Sequence, residues 1–136
     1  MKTESLKKKF TSKRLRYNPL NSSIFLYTLL LFWLVFIIVF SIIPISGKTI
    51  YQDSDKLVHF FIYLITSSLF HLCFRIKFKK PLVWSSLFSL AFGALMETMQ
   101  AFVPYRDFSL KDILADAAGI LVYIVATIAL RKKLIK

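Results

Sequence analysis

The sequence predicts an all-α integral membrane protein, a bundle of four transmembrane helices with both termini in the cytoplasm. Three observations predict it. The chain of 136 residues is 57% hydrophobic, with its apolar residues gathered into four long runs. Its net charge of +12 sits in short blocks between those runs. Its acidic residues gather at the opposite ends of the same runs. A water-soluble domain of this size would scatter all three.

Residues 1–23 form a basic tail with Lys2, Lys7, Lys8, Lys9, Lys13, Arg14 and Arg16 against the single acid Glu4. Asn18-Pro19 marks a helix start, because proline is tolerated at the first helical position. Ile24–Ile43 is an uncharged run of 20 residues, the length a spanning helix needs. It is too long for the apolar region of a cleaved signal peptide, and Pro44-Ile45-Ser46-Gly47 does not resemble a cleavage site. The first span is therefore placed at about 24–44.

Lys48–Ser54 reads as a short polar loop, after which Asp53, Ser54 or Asp55 can cap the next helix. The second span is placed at 57–74. Asp55, His59 and Tyr63 follow at four-residue steps and share a face. Thr66, Ser67 and Ser68 continue it with small residues suited to close helix packing. Arg75, Lys77, Lys79 and Lys80 form a basic turn, and Pro81 restarts the chain. The third span, 82–103, is apolar until Glu97 and Gln100 near its end. Pro104–Ser109 is a loop holding Arg106 and Asp107. Ser109-Leu110-Lys111-Asp112 fits the capping-box pattern that opens a helix. The fourth span is placed at 113–130, and residues 131–136 are a second basic tail.

Fifteen of the nineteen Lys and Arg residues lie on the side of the two termini; only Lys48, Lys56, Arg106 and Lys111 lie on the other. The positive-inside rule puts both termini in the cytoplasm. Six of the seven acids then sit at or just beneath the outer face. A basic chain raises the question of nucleic acid, but these charges flank apolar runs rather than forming a stripe, so no nucleic acid is predicted. Cys73 is the only cysteine, which excludes an intrachain disulfide and a cysteine metal centre.

The polar residues of three spans fall in one shallow layer. At 1.5 Å per residue, Glu97 lies about 10 Å below Pro104, Asp116 about 6–10 Å below its helix start, and His59 about 6 Å below Asp55. Asp112 and Asp116 repel on one helix face unless they share a proton or a cation stands between them. His59 with Asp55 one turn earlier has the form of a base and its orienter, and Glu97 of an acid. His59, Glu97, Asp112 and Asp116 are thus the candidate catalytic residues. Asp55, Lys56, Gln100, Arg106 and Ser109 are the candidate substrate-binding residues, with Arg106 able to hold a phosphate or carboxylate in a fork. Two helix N-termini point the same way and favour anions. The picture is an outward-facing pocket for an anionic head group.

A plainer reading stands beside it. Asp55 is also a cap, and Asp112 also completes the Ser109 capping box. Glu97, Gln100, Asp116 and His59 also serve as interhelical glue, and acids and bases on that side could close into ion pairs. No cofactor is predicted. Oxygen ligands beside His59 would suit a divalent metal, yet no established metal-ligand spacing is present, so the metal is left open. His71 and Cys73, near the cytoplasmic end, read as packing or interface residues. Trp33 and Trp84 read as lipid or packing residues, and Tyr51 and Tyr105 as interface residues.

Across residues 41–125 the chain resembles the VanZ-like family of small bacterial membrane proteins. The resemblance rests on Ser41-x-x-Pro44, on Asp55-Lys56-x-x-His59-Phe60 with Tyr63, and on Glu97-x-x-Gln100. It continues through Pro104-x-Arg106-x-x-Ser109-x-x-Asp112-x-x-x-Asp116-x-x-Gly119. Two positions depart from the commonest pattern. Asp116 stands where many members have Asn, which adds a negative charge. Tyr123 stands where a second Gly often follows, which weakens Gly-x-x-x-Gly packing. The resemblance implies a multi-pass protein of the bacterial cytoplasmic membrane, from a family named for low-level resistance to teicoplanin. It implies no reaction.

Three functions follow as expectations. The first is a binding or accessory protein for membrane lipids or lipid-linked cell-wall precursors. The second is an enzyme acting on a lipid-linked phosphate by acid/base chemistry. The third is a proton- or ion-coupled carrier, suggested by intramembrane carboxylates.

Overall fold

Four helices account for almost all of the 19–43, 54–75, 77–104 and 107–134 segments that the computed structural model describes. They are α1 (Pro19–Ile42), α2 (Ser54–Phe74), α3 (Pro81–Gln100) and α4 (Leu110–Leu134). Each is long and apolar enough to cross a membrane. Arg106, Tyr105, Tyr51, Asp53 and Pro44 lie outside the described residues.

Local chemistry explains the helix ends, including two that differ from the sequence reading. α1 begins at Pro19, the helix start that Asn18-Pro19 marks, because proline suits the first helical position. α3 stops at Gln100 rather than 103. Phe102 N–H and Val103 N–H instead donate three residues back, to Met99 at 3.1 Å and Gln100 at 2.9 Å. Pro104 disfavours the α conformation at Val103, so the helix tightens and closes there. α4 runs four residues beyond 130, through Arg131, Lys132 and Lys133. These are good helix formers, and their charges are favourable at a helix C-terminus. α3 starts with Pro81 in its first turn after Lys80.

Side-chain contacts fix an up-down-up-down bundle. The end of α1 meets the end of α3 where Gln100 reaches Ser41. The starts of α2 and α4 meet at His59 and Asp116, and their far ends meet at His71 and Tyr123. α4 packs against α2 and α3, α1 packs against α2 and α3, and α1 and α4 share no interface. The α2–α3 hairpin is clamped by a ladder of rings. Phe74 lies 4.8 Å from Phe78 and 5.2 Å from Phe88, and Trp84 extends it 5.8 Å from Phe78.

The interior is polar and the exterior apolar, the reverse of a soluble bundle. Thr66, Ser67, Ser85 and Ser89 are fully buried. Small hydroxyl residues let helices approach closely, and Thr66 and Ser85 return their hydroxyls to carbonyls of their own helix. Phe32, Leu31, Phe61, Leu87, Leu114 and Leu121 point outward. The one buried apolar cluster among the described residues is Leu30, Phe70 and Cys73, between α1 and α2 at the end remote from the acids. Trp33 does more than pack, since its indole N–H donates to Thr66 at 2.9 Å and ties α1 to α2.

α2 and α4 approach closely at Gly119. A β-carbon there would collide with the Phe60 carbonyl oxygen and stand 3.1 Å from the Leu64 nitrogen. The two backbones therefore touch, and only glycine permits it. This single crossing gives α4 its rotation, which turns Asp112 and Asp116 toward α2 and α3.

Candidate functional site

Asp116 is one of two fully enclosed carboxylates among the described residues, 1% exposed. Its Oδ1 accepts a hydrogen bond from His59 Nδ1–H at 2.9 Å. Its Oδ2 has no hydrogen-bond partner and lies beside Gly93 of α3, where a β-carbon would stand 2.8 Å from it. The ring of Tyr63 lies against the same glycine, 3.1–3.2 Å from that position, and its hydroxyl is buried and likewise unpartnered. Gly93 thus clears room for two large polar groups in the bundle interior.

The orienter of His59 is Asp116, from another helix, and not Asp55 on its own. Asp55 is exposed at the start of α2. In the neutral imidazole, the bond at Nδ1 fixes the tautomer and leaves Nε2 with the lone pair.

Glu97, also 1% exposed, accepts a hydrogen bond from the backbone N–H of Ser109 at 2.6 Å. Ser109 in turn caps α4, its hydroxyl accepting from Asp112 N–H at 3.3 Å. In an ordinary capping box the third helical residue returns its side chain to the N-cap N–H. That residue is Asp112, but Glu97 of α3 has taken its place. Asp112, 8% exposed as a residue, thus keeps its carboxylate out of the capping box and lines the open depression at the start of α4. The expectation that Asp112 completes the box is corrected by this geometry.

Gln100 donates to Ser41 at 3.2 Å and joins α3 to α1. Lys56 is half-buried, and Ser109 likewise. Of the nine candidate residues, eight are described, and α2, α3 and α4 bring them to one end of the bundle. Arg106 lies outside the described residues.

Two hollows open at this end and share Asp55. One is a cleft of about 360 Å³ between α1, α2 and α3. Its walls are Phe36, Phe40, Ile37, Val58, Ile62 and Met96, and its polar end holds Ser41, Asp55, His59, Tyr63 and Gln100. The other is an open depression of about 720 Å³ between the starts of α2 and α4, lined by Asp55, Lys56, Phe108, Ser109, Lys111 and Asp112, among others. The apolar wall supplied by α1 was missed by sequence reasoning. Phe36, Phe40 and Ile37 sit in a run where every residue is apolar, so none stands out. Gly93 did carry a signal, as one of three glycines in the chain and alone in the middle of an apolar helix.

A second polar contact lies at the other end. Arg131 donates to His71 Nε2 at 3.1 Å. Because arginine only donates, His71 must accept there and donate from Nδ1, to the Tyr123 hydroxyl at 2.7 Å. Tyr123, where the resemblance leads one to expect glycine, is thus the partner of His71. Tyr123→Phe removes that partner. It is expected to lower stability by roughly 0.5–1.5 kcal/mol, read as a lower melting temperature in detergent.

Comparison with known proteins adds little beyond this geometry. No family model matches the chain. It is 33% identical over 67 residues to an uncharacterized protein of Schizosaccharomyces pombe. That stretch is 48% of this chain, which spans about two fifths (41%) of the yeast protein's length. No solved structure matches.

Proposed function

We propose that this chain is a VanZ-like membrane protein whose site binds an anionic amphiphile, a membrane lipid or a lipid-linked precursor carrying phosphate. In this reading the four helices span the bacterial cytoplasmic membrane with both termini inside, and the site opens outward. The link to teicoplanin resistance follows from the resemblance. A similar stretch occurs in a fission-yeast protein, so the ligand is specified by its chemistry rather than by one kind of envelope.

The observation that carries the reading is the cleft between α1, α2 and α3. Its apolar walls suit a hydrocarbon chain, and its polar end suits the junction of chain and head group. The adjoining depression offers Lys56, Lys111 and the N-terminal ends of α2 and α4 to a phosphate. A membrane lipid reaches such a cleft sideways from the bilayer, past α1.

Native mass spectrometry of the purified protein tests this directly. With phosphatidylglycerol and phosphatidylcholine supplied equally, the protein is expected to retain phosphatidylglycerol. Met96→Trp, which fills the cleft from the α3 side, is expected to abolish retention. Equal retention of both lipids, or retention unaffected by Met96→Trp, would overturn the reading. The His59–Asp116 pair favours a second reading, an enzyme in which Asp116 orients His59 as a base. Head-group release that stops in His59→Ala would select it.

A further inference from the structure

The geometry points to a divalent-cation site formed by Asp55, His59 and Asp112. One ligand atom from each of these residues lies within 4.8 Å of the other two. The set is two carboxylates and an imidazole, from the first two turns of α2 and the first turn of α4. Zn²⁺ bonds to such nitrogen and oxygen atoms at about 2.0–2.2 Å, which asks ligand atoms to stand about 3–3.5 Å apart. Asp55 is exposed, so its side chain is free to close the difference.

Two features outside the trio prepare it. The first is Asp116, which holds His59 by Nδ1 and leaves Nε2 as the only nitrogen able to ligate. A carboxylate behind a histidine is the usual support of a metal-binding imidazole. The second is Glu97. By occupying the Ser109 N–H, it frees Asp112 from the capping box. The Asp112 carboxylate then stands beside that of Asp55 at the same depression, near the His59 ring, and a cation would offset the repulsion between the two carboxylates. The mixed set suits Zn²⁺ or Mn²⁺ better than Mg²⁺ or Ca²⁺, which favour all-oxygen cages.

The ion would also remove a conflict. Asp55 and Asp112 line the depression assigned above to a phosphate, and bare carboxylates repel one. A bound cation turns the same wall into an attraction. This second role rests on the lipid-binding reading; the ion site itself does not.

Zn²⁺ titration of the purified full-length protein in detergent, by calorimetry without added lipid, tests the site. Co²⁺ is the spectroscopic probe, because its visible absorption reports a nitrogen ligand. One Zn²⁺ per chain is expected. Asp55→Asn and Asp112→Asn should each weaken binding by at least tenfold, and His59→Gln should also remove the Co²⁺ band. Asp116→Ala, a loss of support rather than of a ligand, should weaken it by about tenfold to a hundredfold. Asp116→Asn keeps an acceptor for Nδ1–H and should lose less. Circular dichroism confirms folding, and Asp55→Asn is the control least able to disturb it. Absence of saturable uptake by folded wild type would overturn the site, as would uptake that survives Asp55→Asn with His59→Gln. Lipid retention in EDTA separates the two readings. Retention with no Zn²⁺ uptake leaves lipid binding standing and removes the ion, whereas Zn²⁺ uptake without retention does the reverse.

Discussion

Gly119→Ala is expected to destabilise this protein more than any other single methyl group added to it. The added carbon would meet the Phe60 carbonyl oxygen and the Leu64 nitrogen. Both are backbone atoms of α2, which no rotamer change can move aside. α4 must therefore back away from α2 along its length. The His59–Asp116 bond at one end and the His71–Tyr123 bond at the other would both lengthen. Overpacking of a well-fitted interior typically costs about 1–3 kcal/mol, and this substitution belongs at the upper end or above. Gly93→Ala is the comparison. Its β-carbon would meet only side chains, Asp116 and Tyr63, which can turn. It should melt closer to wild type while disturbing the site. Thermal unfolding of the two variants in one detergent decides the matter. Equal losses, or a larger loss at Gly93, would show that the α2–α4 backbone contact does not organise the bundle.

The second large effect is expected at Glu97. Glu97→Ala removes the acceptor of the Ser109 N–H and leaves that donor, with a void, in the bundle interior. The penalty for an unsatisfied buried donor is roughly 1–3 kcal/mol, to which the lost packing adds. Glu97→Gln keeps a carbonyl oxygen for the same bond, so its melting temperature should lie near that of wild type. The pair separates two roles. A capping role predicts that Gln is tolerated in stability and in ligand binding alike. A role as a general acid predicts that Gln folds normally but cannot turn over substrate, because an amide has no proton of suitable acidity to give. A Gln variant as unstable as Ala would contradict the capping geometry.

Among the described residues, the four helices, their order and the gathering of the polar groups were all legible in the sequence, because long apolar runs broken by charged turns mark the helices and the polar residues fall at matching depths in them. Helix rotation was not. Four-residue spacing pairs His59 with Asp55 on paper, since both lie on one face. The true partner is Asp116, 57 residues away, and that choice depends on how α4 is turned at Gly119. Nor was the exchange at Ser109 legible. The local pattern names Asp112 as the returning side chain, and only the packing of α3 against the start of α4 brings Glu97 there first. The end of α3 was overrun for a simpler reason. Residues 101–103 are apolar enough to continue a span, and the effect of Pro104 on the residue before it outweighs that.

The bundle's polar bonds also have a chronology. His59 waits for Asp116, Glu97 for Ser109, and His71 for Tyr123 and Arg131. In every case the later partner belongs to α4 or to the cap just before it, which leaves the ribosome after α1, α2 and α3. Until then the nascent protein carries two histidines and a glutamate in apolar helices with none of these partners. An incomplete chain is thus marked by its own exposed polarity, and the arrival of α4 erases the mark. Truncation before residue 109 should shorten the protein's lifetime in the cell far more than truncation after residue 134.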